Sequence, residues 1–291
     1  MDNRMTVILP ASPWMTVERA RPRPLVRTLL APLAALLPAL ASPVAWADAA
    51  PPAWEGALGL LASHAPEYQG AADRVTKLVP GFFLRYGRLT VTNAGGFVTR
   101  RADDVERGLG IDLSPSDRFR LKLALRFDAG RSESDSPALA GLGDVKMTVR
   151  ARVNGVWKLD EHWKVGASWS VDAFGRGGGN LGDLTLQYEQ RLSPTTTLST
   201  GAALTIAGDR YLQTYFGISP EQAARTAYPL YTPPFGLRDV ELSSSLRHEF
   251  AEHWVALAGV SVSRLLGPAA DSPLVKRSGS MRISGGLAYR F

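Results

Sequence analysis

Met281-Arg-Ile-Ser-Gly-Gly-Leu-Ala-Tyr-Arg-Phe291 closes the chain. Met281, Ile283, Leu287, Tyr289 and Phe291 are apolar, whereas Arg282, Ser284 and Arg290 between them are polar. Successive strand side chains point to opposite faces, so this stretch has one greasy face and one wet one. A strand ending at the carboxylate in an aromatic resembles the closing strand of bacterial outer-membrane β-barrels. Tyr289 and Phe291 would then be its assembly signal. An edge strand of a soluble sheet is the alternative, and the rest of the chain discriminates.

The same alternation recurs upstream. Phe119, Leu121, Leu123, Leu125 and Phe127 interleave with Arg120, Lys122, Ala124, Arg126 and Asp128. Val145, Met147, Val149, Ala151 and Val153 interleave with Lys146, Thr148, Arg150, Arg152 and Asn154. Trp163–Phe174 and Val240–Phe250 repeat the design. Segments of about ten residues with dyad alternation are the sequence signature of a membrane barrel, and ~9–11 residues cross a bilayer at a tilt. Connections also alternate in length. Ser114–Asp117, Ser193–Thr196 and Ala251–His253 are short; 131–142, 175–182, 209–237 and 266–279 are long. That asymmetry belongs to outer-membrane barrels, with short periplasmic turns and long outer loops. Trp54, Trp157, Trp163 and Trp254 all fall at short-turn ends, where an interfacial aromatic girdle lies.

The front of the chain agrees. Arg19, Arg21, Arg23 and Arg27 precede an apolar run from Leu29 to Leu40, and Ala45-Trp46-Ala47 is an A-x-A site. Residues 1–47 therefore read as an N-terminal extension and a cleaved secretory signal peptide, leaving 48–291 as the barrel. Five of 33 Lys+Arg and two of 27 Asp+Glu lie in 1–47, so the remainder is near +3. Half of the net positive charge belongs to 1–47, and the rest gives no nucleic-acid footprint. With no Cys, disulfide and thiol chemistry are excluded.

Strands are expected at 54–64, 76–86, 88–96, 105–113, 118–130, 143–155, 163–174, 183–192, 197–208, 238–250, 254–265 and 280–291. This is an all-β, antiparallel up-and-down transmembrane barrel of twelve strands. Asn93-Ala-Gly-Gly96 weakens the third and fourth, so ten is the alternative.

Several motifs lie outside the alternation. They are Tyr68-Gln-Gly70, Gly141-Leu-Gly-Asp144, Tyr211-x3-Tyr215-Phe-Gly-Ile-Ser219 and Asp271-Ser-Pro273, followed by Tyr289-Arg-Phe291. In this order they resemble the MipA/OmpV family of outer-membrane proteins over roughly 54–291. The resemblance implies a non-enzymatic scaffold linking a lytic transglycosylase and a murein synthase in peptidoglycan remodelling. Outer-membrane lipid and the outer-membrane assembly machinery are the other expected partners.

Catalysis is not expected. His162, His248 and His253 sit at short turns, and His64 is isolated in a loop, so no Ser-His-acid constellation is in view. Metal-ligand spacings, phosphate loops and nucleotide fingerprints are missing, and no cofactor is implied. Inward positions carry the remaining chemistry. Arg120, Lys122, Arg126, Lys146, Arg150 and Arg152 would form a basic wall beside a mainly acidic one with Asp183, Glu189, Glu241 and Glu249. Two readings stay open: a narrow pore for small polar or zwitterionic solutes, or an ion-pair network filling a small lumen. Loop 209–237 carries six Tyr or Phe, too aromatic for disorder. Ser219-Pro-Glu-Gln222 predicts a capped helix through Arg225. The loop would either bind a surface partner or fold inward as a constriction.

Overall fold

The structure is a computed structural model and describes residues 54–93, 108–113, 116 and 118–291. The expected signal peptide and most of turn 114–117 lie outside the described residues. Twelve described strands form a closed antiparallel barrel. They are β1 (Trp54–Pro66), β2 (Arg74–Tyr86), β3 (Leu89–Thr92), β4 (Gly108–Asp112), β5 (Phe119–Asp128) and β6 (Thr148–Lys158). The second half comprises β7 (Trp163–Asp172), β8 (Asn180–Ser193), β9 (Thr196–Ala207), β10 (Gly236–Glu249), β11 (Trp254–Leu265) and β12 (Gly279–Arg290). Each strand pairs with the next, and β12 closes on β1 with Leu60 opposite Leu287. Closure leaves no terminal strand in the ring, which is how barrels avoid an open sheet edge.

The period-2 pattern determines which face goes where. Leu58, Leu60, Phe82, Leu125, Phe127, Val153, Trp169, Leu184, Leu242, Val260, Ile283 and Leu287 are exposed on the outer surface. Such a continuous apolar belt far exceeds what a water-soluble surface carries and suits hydrocarbon. At the short-turn end it is edged by aromatic pairs: Trp54–Tyr86 at 4.5 Å, Trp163–Tyr188 at 4.9 Å, Trp254–Tyr289 at 5.4 Å and Phe119–Trp157 at 6.3 Å between ring centroids. All four Trp singled out by the sequence are in this girdle.

The ten-strand alternative is excluded, since β3 and β4 are short but bridge β2 to β5. The strand expected at 143–155 is shifted. β6 starts at Thr148 and runs to Lys158, because residues before it are held in the loop. Gly141 and Gly143 take positive φ (81° and 74°), and Asp144 Oδ1 accepts hydrogen bonds from Ser132 Oγ and Glu133 N. Only Val145 touches the sheet pattern, as an isolated bridge to Arg131. Trp157 therefore belongs to a strand rather than a turn, and Lys146 leaves the lumen wall.

Loop 209–237 contains two helices where the sequence reading expected one. The capped helix is present as α2 (Pro220–Arg225), with both halves of the Ser219/Gln222 capping box formed. The additional helix is α1 (Asp209–Phe216), followed further along by the short α3 (Gly267–Ala270). α1 starts at Gly208, which offers no side-chain cap, so the usual start signal is missing.

Candidate functional site: a capped lumen

Inward side chains divide the lumen into three zones. At the short-turn end of the β11–β12–β1–β2 side, Ala57, Phe83, Val255 and Ala288 form a buried apolar cluster with Leu61 and Leu257 against it. Across from it, β6 to β10 line a polar chamber of about 320 Å³. Arg152, Lys164, Asp183 and Glu241 supply its charge, with Ser168, Ser243 and Ser245 between them. The third zone is the mouth at the long-loop end, where the loops fold inward.

The predicted basic and acidic walls interlock rather than face each other. Arg150, 3% exposed, binds Asp128 through Nε–Oδ2 at 2.8 Å and donates Nη2 to Gly178 O at 2.6 Å. Arg152 Nη1 lies 3.1 Å from Asp183 Oδ2, and Asp183 also accepts from Ser168 and Thr205, each at 3.0 Å. Lys164 Nζ meets Glu189 Oε2 at 3.0 Å. Glu249 takes Arg247 and Arg290, both at 2.7 Å. Arg120, Lys122 and Arg126 occupy inward positions of β5. Buried charges need such partners. The structure thus favours ion-pair packing for much of the wall, yet leaves the chamber beside Arg152 and Lys164. Lys146 is a correction: it is exposed in the loop before β6.

The mouth is closed by α1. Tyr211, Leu212 and Phe216 pack with Ala207, Leu265 and Ala269. The Tyr211 ring lies near two guanidiniums, Arg150 at 5.2 Å and Arg238 at 5.6 Å. Arg238 reaches it because the β9–β10 register shifts between Leu237 and Asp239. A bulge re-aims side chains, and here Arg238 pairs with its neighbour Asp239. Tyr215 donates its hydroxyl to Asp128 Oδ1 at 3.1 Å. Burial, with Asp128 beside it, holds that phenol above its ordinary pKa, so it remains a donor.

Above α1 a second buried cluster unites Tyr68, Ala71, Leu139, Leu142, Ile218 and Leu274. Tyr68 donates to Leu274 O at 3.0 Å, Ser272 Oγ to Phe216 O at 2.6 Å, and Gln222 Nε2 to Leu142 O at 2.6 Å. Lys276 N and Arg277 N both bond Gly70 O, where φ is 95°. The four loop motifs picked out in the sequence therefore meet in one place. They build the cap. Of its members, Tyr211 and Tyr215 lay in a quoted motif, and the loop takes the inward course that was one of its two readings, on a helix the sequence reading did not expect. The spacing 211, 212, 215, 216 is a helical face and could have revealed it.

The family profile of MltA-interacting protein MipA matches residues 58–291. The chain belongs to the MipA family. It is 25% identical over 189 residues to YiaT of Escherichia coli K12, a protein named as an outer membrane protein, covering 63% of this chain and 74% of that one. Among solved structures, the NanC porin aligns with a TM-score of 0.42 and 8% identity, over 80% of this chain and 98% of the porin. The DcaP outer membrane channel of Acinetobacter baumannii aligns at 0.39 and 8%, over 82% and 96%. This MipA-family barrel resides in the outer membrane, so the short turns are periplasmic and the cap faces outward.

The His residues are accounted for structurally. His64 receives Arg74 Nε at 2.9 Å and lies 3.0 Å from Thr76 Oγ1. His248 contacts Thr196 at 2.9 Å, and His253 Nδ1 lies 3.0 Å from Arg290 O. Among the described residues no group of three His, Asp or Glu could hold a metal.

Proposed function

We propose that the barrel is a narrow, capped outer-membrane passage for small polar or zwitterionic solutes, and not an enzyme. The chamber carries this reading. Its volume of about 320 Å³ falls at the small end of ligand pockets, and Arg152 with its partner Asp183, Lys164 with its partner Glu189, and Glu241 bring charges of both signs to its wall. Fixed charges of both signs within one small polar space orient a zwitterion while leaving a net-charged solute opposed on one side. Single-channel recording in planar bilayers tests it. Arg152→Ala and Glu241→Gln should change conductance and ion preference in opposite senses. Wild-type protein that inserts yet never conducts would remove the reading.

The family description favours a second reading, a scaffold joining a lytic transglycosylase and a murein synthase at the periplasmic rim. The exposed surface for it is small: turns 159–162, 194–195 and 250–253 are brief. Pull-down of purified transglycosylase with and without substitutions in those turns tests it; equal recovery would locate docking elsewhere or nowhere. The assembly machinery is the third expected partner, through Tyr289 and Phe291. Residues 1–47 are assigned to secretion on the same footing.

A further inference from the structure

The outer face of the cap contains a cleft that the passage reading does not use. Its volume is about 680 Å³, and its walls include Arg131, Lys146 and Arg176 beside Gln213, Thr214 and Asp144. Arg131 and Lys146 come from the 129–147 loop, where Arg131 bridges Val145, and Arg176 from the 173–179 loop, while α1 adds Gln213 and Thr214 to the wall. Arg131 Nη1 donates to Tyr215 O at 2.9 Å, and Arg176 Nη1 to Met147 O at 3.0 Å. Among the described residues none of the three is in an ion pair.

The neighbouring carboxylates form no ion pair with them, and of these acids only Asp144 lines the cleft. Asp144 is committed to Ser132 and Glu133 N. Glu133 accepts from Gly143 N at 2.9 Å, and Asp135 from Ser132 N at 2.9 Å. Glu221 accepts from Ser219 Oγ. Asp135 influences Arg131 only at a distance. Arg131 Nε and Gln213 Oε1 are both buried and lack a hydrogen-bond partner. Buried polar groups without a partner are uncommon in native proteins. The cleft wall thus carries three cations against the single carboxylate of Asp144.

We propose that this cleft binds a saccharide bearing a phosphate or carboxylate group. The anion would be held by Lys146 and Arg176 at the rim and drawn by Arg131 deeper in, with sugar hydroxyls lying along the wall formed by Gln213 and Thr214. Two sources carry this chemistry at the cell exterior: a free sugar acid or sugar phosphate, and the phosphorylated sugars of a lipopolysaccharide headgroup. The site depends on the cap and is independent of conduction through the lumen.

The test uses full-length barrel purified in detergent, with folding checked by heat-modifiable gel mobility. Glucuronate, glucose 6-phosphate, glucose, inorganic phosphate and lipopolysaccharide before and after dephosphorylation are titrated by calorimetry. Charged sugars should bind and glucose should not. The exposed double variant Lys146→Ala/Arg176→Ala should weaken binding at least about tenfold, the loss expected of a charge-assisted hydrogen bond. Gln213→Leu should weaken sugar phosphate more than inorganic phosphate. Binding confined to phosphorylated lipopolysaccharide, with the same loss in the double variant, supports the site and assigns it to the headgroup. Glucose or inorganic phosphate binding as tightly as glucose 6-phosphate overturns the proposal. So does an unchanged affinity in the double variant, or no binding of any anion. A barrel that conducts without binding these ligands refutes this site and leaves the passage intact.

Discussion

Lys164 and Glu189 show how a charged wall stays folded inside a barrel. Their side chains are 9% and 15% exposed and meet at 3.0 Å. Removing one partner strands the other, whereas removing both in matched apolar form is nearly neutral. Lys164→Ala should therefore lower unfolding stability in urea by about 1–3 kcal/mol, reduced from the fully buried case by water in the chamber. Lys164→Met with Glu189→Leu should recover most of it; a double variant as weak as the single would deny the pairing. Asp144 makes a different point. Hydrogen bonds from Glu133 N and Ser132 hold its carboxyl below the ordinary carboxylate range. A depressed native pKa gives stabilisation that is complete above the unfolded value, about 3.9, and is lost as pH falls through the native one. The 129–147 loop should keep its protection from proteolysis between pH 7 and 5 and lose it only in stronger acid. Loosening already at pH 6 would mean that Asp144 does not hold the loop.

At the scale of elements, closure by β12 on β1 decides whether a barrel exists. Phe291 N donates to Gly56 O at 3.0 Å and Gly56 N to Phe291 O at 3.3 Å. The Phe291 ring lies where a Cβ on Gly56 would go. Gly56→Leu should lower the yield of heat-modifiable, folded barrel, since the ring must swing off β1 to admit the new side chain. Normal assembly of that variant would mean that the terminal Phe acts only as a recognition tag. Elements with strict alternation were legible from residues alone: β5, β7, β10 and β12 differ from expectation by a residue or two at most ends. β6 was not, because 143–147 keeps alternating after leaving the sheet; Asp144 and two positive-φ glycines hold it in the loop. α1 was missed because glycine supplies its cap, and a strand-to-helix switch carries no alternation to break. The Leu237–Asp239 bulge is invisible in a pattern of single residues, yet it brings Arg238 to Tyr211.

For the whole molecule, the barrel was readable and its interior was not. Alternation reveals which residues face inward but not how they pair, so pore and ion-pair network stayed open as readings until the structure paired Arg152 with Asp183 and Lys164 with Glu189. The loop motifs indicated a family, while only the fold shows them converging as a cap over the lumen. The resulting molecule has an apolar belt, a polar chamber and a mouth closed by α1 through Tyr211 and Tyr215. If the chamber is a passage, α1 sets its resistance. The most direct measurement is single-channel conductance of wild type against a barrel in which 209–235 is replaced by a short Gly-Ser turn, both confirmed folded. The expected result is a small wild-type conductance that rises several-fold on removing the cap. Silent membranes from both proteins would contradict the passage and leave a barrel filled by ion pairs.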